Sequence, residues 1–173
     1  MTISFFDLMA ISKKRSEKRK PKIENRVKTF HINENMIIVD YGCGPGMYIN
    51  CFSKAVGDKG KVFAVDINEN AKKYIDDIIN KNNLKNVSFH LSEGYNSKIE
   101  NEIADIVFAL DVFHGIEDTN LFLDELYRIC KKDGVLIIDD GHQKRIKTKN
   151  ELEIFKKLEI IEEIKDHIKL KKK

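Results

Sequence analysis

The stretch Met36-Ile-Ile-Val-Asp40-Tyr-Gly42-Cys-Gly44-Pro-Gly46-Met-Tyr48 decides the fold. Met36–Val39 is a short apolar run bounded by a turn signal, which reads as a buried strand of a parallel sheet. Gly42, Gly44 and Gly46 let the backbone turn sharply and approach a ligand closely. A helix predicted near residues 47–55 then starts with its free N–H groups directed into that turn. Strand, glycine turn and helix together make a nucleotide-type cofactor site at the carboxyl end of a strand. The pattern is G-x-G-x-G, with Met47 where the dinucleotide fingerprint requires its third glycine. Asp40, just before the glycines, would repel a pyrophosphate and suits a ligand that carries positive charge. A second apolar run, Lys61-Val-Phe-Ala-Val-Asp66, also ends in an acid, 20 residues after Gly46. A carboxylate at that distance can accept both hydroxyls of a ribose.

Four segments carry a resemblance to a known family. They are V-D-Y-G-C-G-P-G, then V-F-A-V-D-I-N, then Ala104-Asp-Ile-Val-Phe-Ala-Leu-Asp111-Val-Phe-His114, and finally Leu126 through Gly134 to Asp139. In this order and spacing they resemble the class I S-adenosylmethionine-dependent methyltransferases, in the small single-domain form. The resemblance spans roughly residues 22–172. It implies S-adenosylmethionine as cofactor, contacted by Asp40, Gly42, Gly44, Gly46, Asp66, Ile67 and Leu110. It also implies an adenine-side turn at Ser92-Glu93-Gly94, where similar proteins usually carry Gly-Asp-Ala. Glu93 is one methylene longer than the usual aspartate, and an exposed turn glutamate is the other reading.

Length and composition fit one soluble domain: 173 residues, 42% hydrophobic and 34% charged, net charge +3. That balance does not by itself imply nucleic acid. The three cysteines, Cys43, Cys51 and Cys130, form no C-x-x-C pair, so no metal site is expected and a reducing cytoplasm is. No run is long enough to span a membrane, and Ile3–Ile11 does not fit a signal peptide. Residues 1–21 are expected to form a lid or basic arm, and 22–173 the cofactor-binding domain. The apolar patch of residues 1–12 reads either as a lid or as a short helix covering a core edge. Lys13–Lys22, with seven basic residues and one acid, reads as a solvated arm, with RNA contact as the rival.

The remaining elements alternate. Ile23, Val27 and Phe30 predict a short helix before the first strand. A helix is expected over Asn68–Asn82 with Asn68 as N-cap, and a strand over Val87–Leu91. A central strand is expected over Ala104–Leu110 and a helix over Ile116–Lys132, capped by Asp133-Gly134. Val135–Ile138 predicts a fifth strand, and Ile160–Ile164 with His167–Leu170 a terminal antiparallel hairpin. The expected fold is α/β, a doubly wound, mostly parallel seven-stranded sheet with a C-terminal antiparallel hairpin.

Candidate chemistry gathers at the carboxyl ends of the fourth and fifth strands. His114 can act as a general base near neutral pH, or pack the following helix start. Asp111, Asp140, His142 and Tyr48 can contact an acceptor, with loop capping and core packing as alternatives. Metalloid chemistry at Cys43 would need partner cysteines. With no second domain or long insert, a small-molecule acceptor is expected. RNA methylation and a non-catalytic, cofactor-binding subunit of a complex are the rivals. A dehydrogenase conflicts with Asp40 and Met47. The oligomeric state is not encoded in any motif.

Overall fold

The computed structural model describes residues 20–165 and 167–173. The lid reading of residues 1–12 and most of the basic arm lie outside those residues. The elements are α1 (Lys20–Lys28), β1 (Ile37–Tyr41), α2 (Ile49–Val56), β2 (Lys61–Asp66), α3 (Asn70–Asn82), β3 (Val87–Leu91) and β4 (Ala104–Leu110). A 3-10 turn (Phe113–Gly115), α4 (Thr119–Ile129), β5 (Cys130–Asp139), α5 (Arg145–Ile154), β6 (Leu158–Ile164) and β7 (His167–Lys172) follow. The expected 21/22 boundary falls within the first turn of α1.

The strands form one seven-stranded sheet in the order β3-β2-β1-β4-β5-β7-β6. The first five pair in parallel, and β7 pairs antiparallel with both β5 and β6. This is the predicted architecture. The order reverses between β1 and β4, and a parallel sheet of this kind opens its ligand crevice at the carboxyl side of such a switch.

Alternation along the strands divides two cores. Ile38, Val62, Ala64, Ile106, Phe108 and Ile137 face α1, α2 and α3, packed with Phe30, Ile49, Phe52 and Ile75. Val39, Val65, Val107, Ala109, Leu136 and Ile138 face α4 and α5, packed with Phe122, Leu126, Ile129 and Leu152. Burial on both faces explains why β1 and β4 read as continuous apolar runs.

Three boundaries differ from the expectation. The glycine turn continues through Tyr48, so α2 begins at Ile49. α3 begins at Asn70, and Asn68 caps from just outside it, its Oδ1 accepting from Asn70 N at 3.0 Å. The helix expected over Ile116–Lys132 is α4 alone, started by Asp118, whose side chain accepts from Leu121 N. Asp133-Gly134 is not its cap. The chain passes into β5 at Cys130, paired with Ala104, and the register shifts before Ile106 meets Val135. A Cβ on Gly134 would stand 2.8 Å from Cys130 Sγ and 2.9 Å from Ala104 O. Glycine is there because two strands close over it, which sequence alone cannot tell from a helix stop.

Candidate active site

The first part of the site lies at the tips of β1 and β2. Asp66, the last residue of β2, is buried. Its Oδ2 accepts from Gly44 N at 2.8 Å and its Oδ1 from Asn68 N at 2.8 Å. One carboxylate thus ties the glycine turn to the start of α3. Burial raises the Asp66 pKa above the usual carboxylate range, against the opposing pull of the N–H groups of Asn68, Gly44 and Ile67. A carboxylate offers about four lone-pair positions, so hydrogen-bonding capacity remains on Asp66 beyond these two oxygen contacts.

The glycine turn is shaped for close approach. Gly44 has φ +52° and nothing within 4 Å of where its Cβ would be, so the backbone there borders open space. Gly46 has φ +75°, and a Cβ would come within 2.6 Å of Ile75 Cδ1 and 2.8 Å of Ile78 Cδ1. One glycine faces the cleft and the other seats the turn on α3. Ile67 is 68% exposed beside Asp66. Buried Ser92 donates its N–H to Asp66 O at 3.0 Å, so the β3 turn abuts the same tip. Asp40, on the α1–α3 side of β1, and Leu110, at the end of β4, are both buried. Buried acids, exposed backbone and one exposed apolar side chain fit a ligand with ribose hydroxyls, an apolar flat face and a positive centre.

Glu93 is brought to the turn but not into the crevice. It is exposed, and its Oε1 pairs with Lys98 Nζ at 2.5 Å. Gly94 takes φ +57° in the same turn. Tyr48 sits in the core, stacked on Phe52 at 5.5 Å, with its hydroxyl accepting from Arg26. Burial raises its pKa, and Arg26 opposes that shift.

The second part of the site lies at the tips of β4 and β5. Three hydrogen bonds stitch the two loops together: Asp111 N to Asp139 O at 2.8 Å, Gly141 N to Asp111 Oδ1 at 2.9 Å, and His114 N to Asp140 Oδ2 at 2.6 Å. The Asp140 side chain is fully buried, while that of His114 is 41% exposed. Asp140 Oδ2 also lies 2.9 Å from His114 Nδ1, and Oδ1 accepts from His142 N at 2.8 Å. The His142 ring lies 4.6 Å from the His114 ring, centroid to centroid.

One network escaped the sequence reading. Arg26, on α1, donates to Asp139 Oδ2 at 2.6 Å as well as to Tyr48, and Arg145 donates to Asp139 Oδ1 at 2.6 Å. Burial raises the Asp139 pKa and the two guanidiniums oppose it. Asp139-Asp140 after an apolar strand was a signal for the acid, but nothing marked Arg26 on the short helix of Ile23 and Val27. An open groove of about 700 Å³, lined by Tyr95, Lys98, Ile99, Leu121 and Arg128, flanks α4 and includes none of the predicted site residues.

Comparisons with known proteins agree with this geometry. Human arsenite methyltransferase (Homo sapiens) is 32% identical over 143 residues, 78% of this chain and 35% of the human protein. The mouse protein (Mus musculus) of the same name is 30% identical over the same share. The chain therefore spans about a third of the length of these curated relatives. A SAM-dependent methyltransferase from Aquifex aeolicus superposes with TM-score 0.75 and 27% identity, over 86% of both chains. A Methanococcus maripaludis protein described as a putative S-adenosylmethionine-dependent methyltransferase shares the fold at TM-score 0.79 and 19% identity, over 99% and 96%. The family described as "Methyltransferase domain" matches residues 32–173. With the glycine turn, the β2-terminal acid and the seven-stranded order all in place, the chain belongs to that family and so to the class I S-adenosylmethionine-dependent methyltransferases.

Proposed function

We propose that the chain binds S-adenosylmethionine across the tips of β1, β2 and β3 and transfers its methyl group to a small-molecule acceptor held at the tips of β4 and β5. The observation that carries this is the Asp66 clamp: a buried carboxylate holding Gly44 N while keeping lone pairs for a ribose. In this reading Asp66 accepts the ribose hydroxyls, Gly44 lets the backbone pass close to the methionine part, and Gly42 and Gly46, packed on Val112 and on Ile75, hold the turn that presents it to the cofactor. Ile67 and Leu110 flank the adenine, with Ser92, Glu93 and Gly94 at its edge; Glu93 would exchange its Lys98 partner for the adenine amino group. Asp40 supplies negative charge toward the sulfonium. When bound, the cofactor supplies an electrophilic methyl group on a positive sulfur. The protein's task is then to hold a nucleophile behind that methyl in a dry pocket.

His114 is the side chain placed to act on the acceptor, with Asp111 and His142 at the same mouth. Tyr48, buried and bonded to Arg26, acts on the acceptor side through the Arg26–Asp139 pair. The relatives named arsenite methyltransferases support a small acceptor. Residues 22–173 act as one cofactor-binding domain. Three cysteines with no C-x-x-C pair support a reducing compartment, the cytoplasm. Among the described residues no helix is long and apolar enough to cross a membrane.

Calorimetric titration with S-adenosylmethionine, and in parallel with NAD, tests the reading. Binding of S-adenosylmethionine alone is expected. Binding of NAD, or of neither, would overturn it.

A further inference from the structure

Asp140 and His114 sit 26 residues apart in sequence and meet at the mouth of the site. The Asp140 oxygens already accept the backbone N–H groups of His114 and His142. A group acting as acceptor on both oxygens requires the imidazole beside it to be the donor, so Nδ1 carries the proton. The neutral ring then has its lone pair on Nε2, the opposite corner of a side chain that is 41% exposed. A base oriented by a third group that fixes its tautomer is the arrangement of an activated proton acceptor. Asp140 Oδ2 takes both the backbone N–H and the Nδ1 of His114, so His114 is held rather than merely exposed.

The geometry points to a substrate class. We propose that the methyl acceptor bears a proton on the attacking atom, a hydroxyl or an amine N–H, and that His114 Nε2 removes it while Asp140 acts as the positioning residue. This rests on the methyltransferase reading above. In the step, the acceptor's oxygen or nitrogen lone pair forms the new bond to the methyl carbon. The carbon–sulfur bond breaks with its electron pair going to sulfur, and the acceptor proton passes to Nε2. The imidazolium so formed faces the Asp140 carboxylate and later releases the proton to water. An acceptor already anionic, such as a thiolate or a thiol-bound metalloid, needs no such base. The cysteines are placed otherwise: Cys130 begins β5 at the amino edge of the sheet, its thiol pushed up to about 12 by burial, and Cys43 is buried within the glycine turn.

The test has two arms on the full chain, after S-adenosylmethionine binding has been measured by calorimetry. First, histidine ring nitrogen NMR should show His114 as the Nδ1–H tautomer, and Asp140→Asn should shift its population toward Nε2–H. Second, methyl transfer should be assayed on simple phenols, catechols, primary and secondary amines, and thiols. Oxygen or nitrogen acceptors should turn over, with His114→Gln lowering kcat by about 100-fold or more and leaving the cofactor Kd within twofold. Asp140→Glu should retain more kcat than Asp140→Asn. The proposal is overturned by an Nε2–H tautomer in the wild type, by transfer to thiols alone or to no member of the panel, or by an undiminished rate in His114→Gln. Failure to bind S-adenosylmethionine would instead overturn the underlying reading.

Discussion

Asp66 and Asp140 are two versions of one device. Each is a buried acid at or just past the tip of a strand. Each accepts one N–H from its own loop, Asn68 or His142, and one from the loop of the adjacent strand, Gly44 or His114. The two differ in what they do with their remaining capacity. Among the described residues Asp66 has backbone partners alone, with lone pairs remaining, whereas Asp140 turns a third acceptor position to an imidazole. On the proposed reading, the same bond pattern makes a binding group on one side of the β1–β4 switch and an oriented base on the other. Difference in role comes from one neighbouring side chain, not from the backbone.

Breaking the second acid should cost the most. Asp140→Asn should lower kcat by about 100-fold while cofactor Kd stays within twofold, read by initial rates and calorimetry. A parallel loss of cofactor affinity would erase the distinction between the two acids. Asp66→Ala should do the converse, weakening S-adenosylmethionine binding by about 1–3 kcal/mol through lost hydrogen bonds to a charged acceptor. Unchanged affinity in that variant would remove Asp66 from the cofactor site.

The two glycines that Asp66 helps seat sharpen the contrast further. Gly46→Ala should destabilise the fold by about 1–3 kcal/mol in denaturant melts, because its methyl enters the space of Ile75 and Ile78. Gly44→Ala meets open space and should cost about 1–2 kcal/mol from its left-handed backbone alone. Its methyl would instead intrude on the ligand, so this variant should lose more cofactor affinity than stability.

The smallest effect is electrostatic. The folded Asp66 carboxyl has a raised pKa, so between its unfolded and folded values the folded chain holds more protons. Its contribution to stability is full below the ordinary aspartate range and is lost as pH rises through the raised value. Thermal melts should show the wild type gaining on Asp66→Asn as the solution is made acid. A gain in the opposite direction would mean that the Gly44 and Asn68 N–H groups outweigh burial.

The cofactor half was legible because its signals are local. Strand, glycines and acid lie within residues 36–48, and Asp66 follows at a fixed distance. The sheet was legible because apolar runs alternate with amphipathic ones throughout. The acceptor half was legible only as separate residues. His114 and Asp140 both drew notice, but their pairing depends on how two loops fold back over adjacent strand tips. Arg26 was invisible for a related reason: its partners Tyr48 and Asp139 are 22 and 113 residues away, and a lone arginine on a helix reads as solvated. Gly134 was misread because a glycine after a helical pattern signals a stop as readily as a crowded strand.

The sheet ends in β6, whose outer side would be open to any other chain with a strand to offer. That strand carries Glu159, Glu162 and Glu163, and its register with β7 breaks between Ile160 and Glu162. A stranger adding itself there would meet a kinked template and charged side chains, both of which discourage edge pairing. The hairpin that completes the fold thus also ends the sheet, on this side, in an edge that disfavours a further strand.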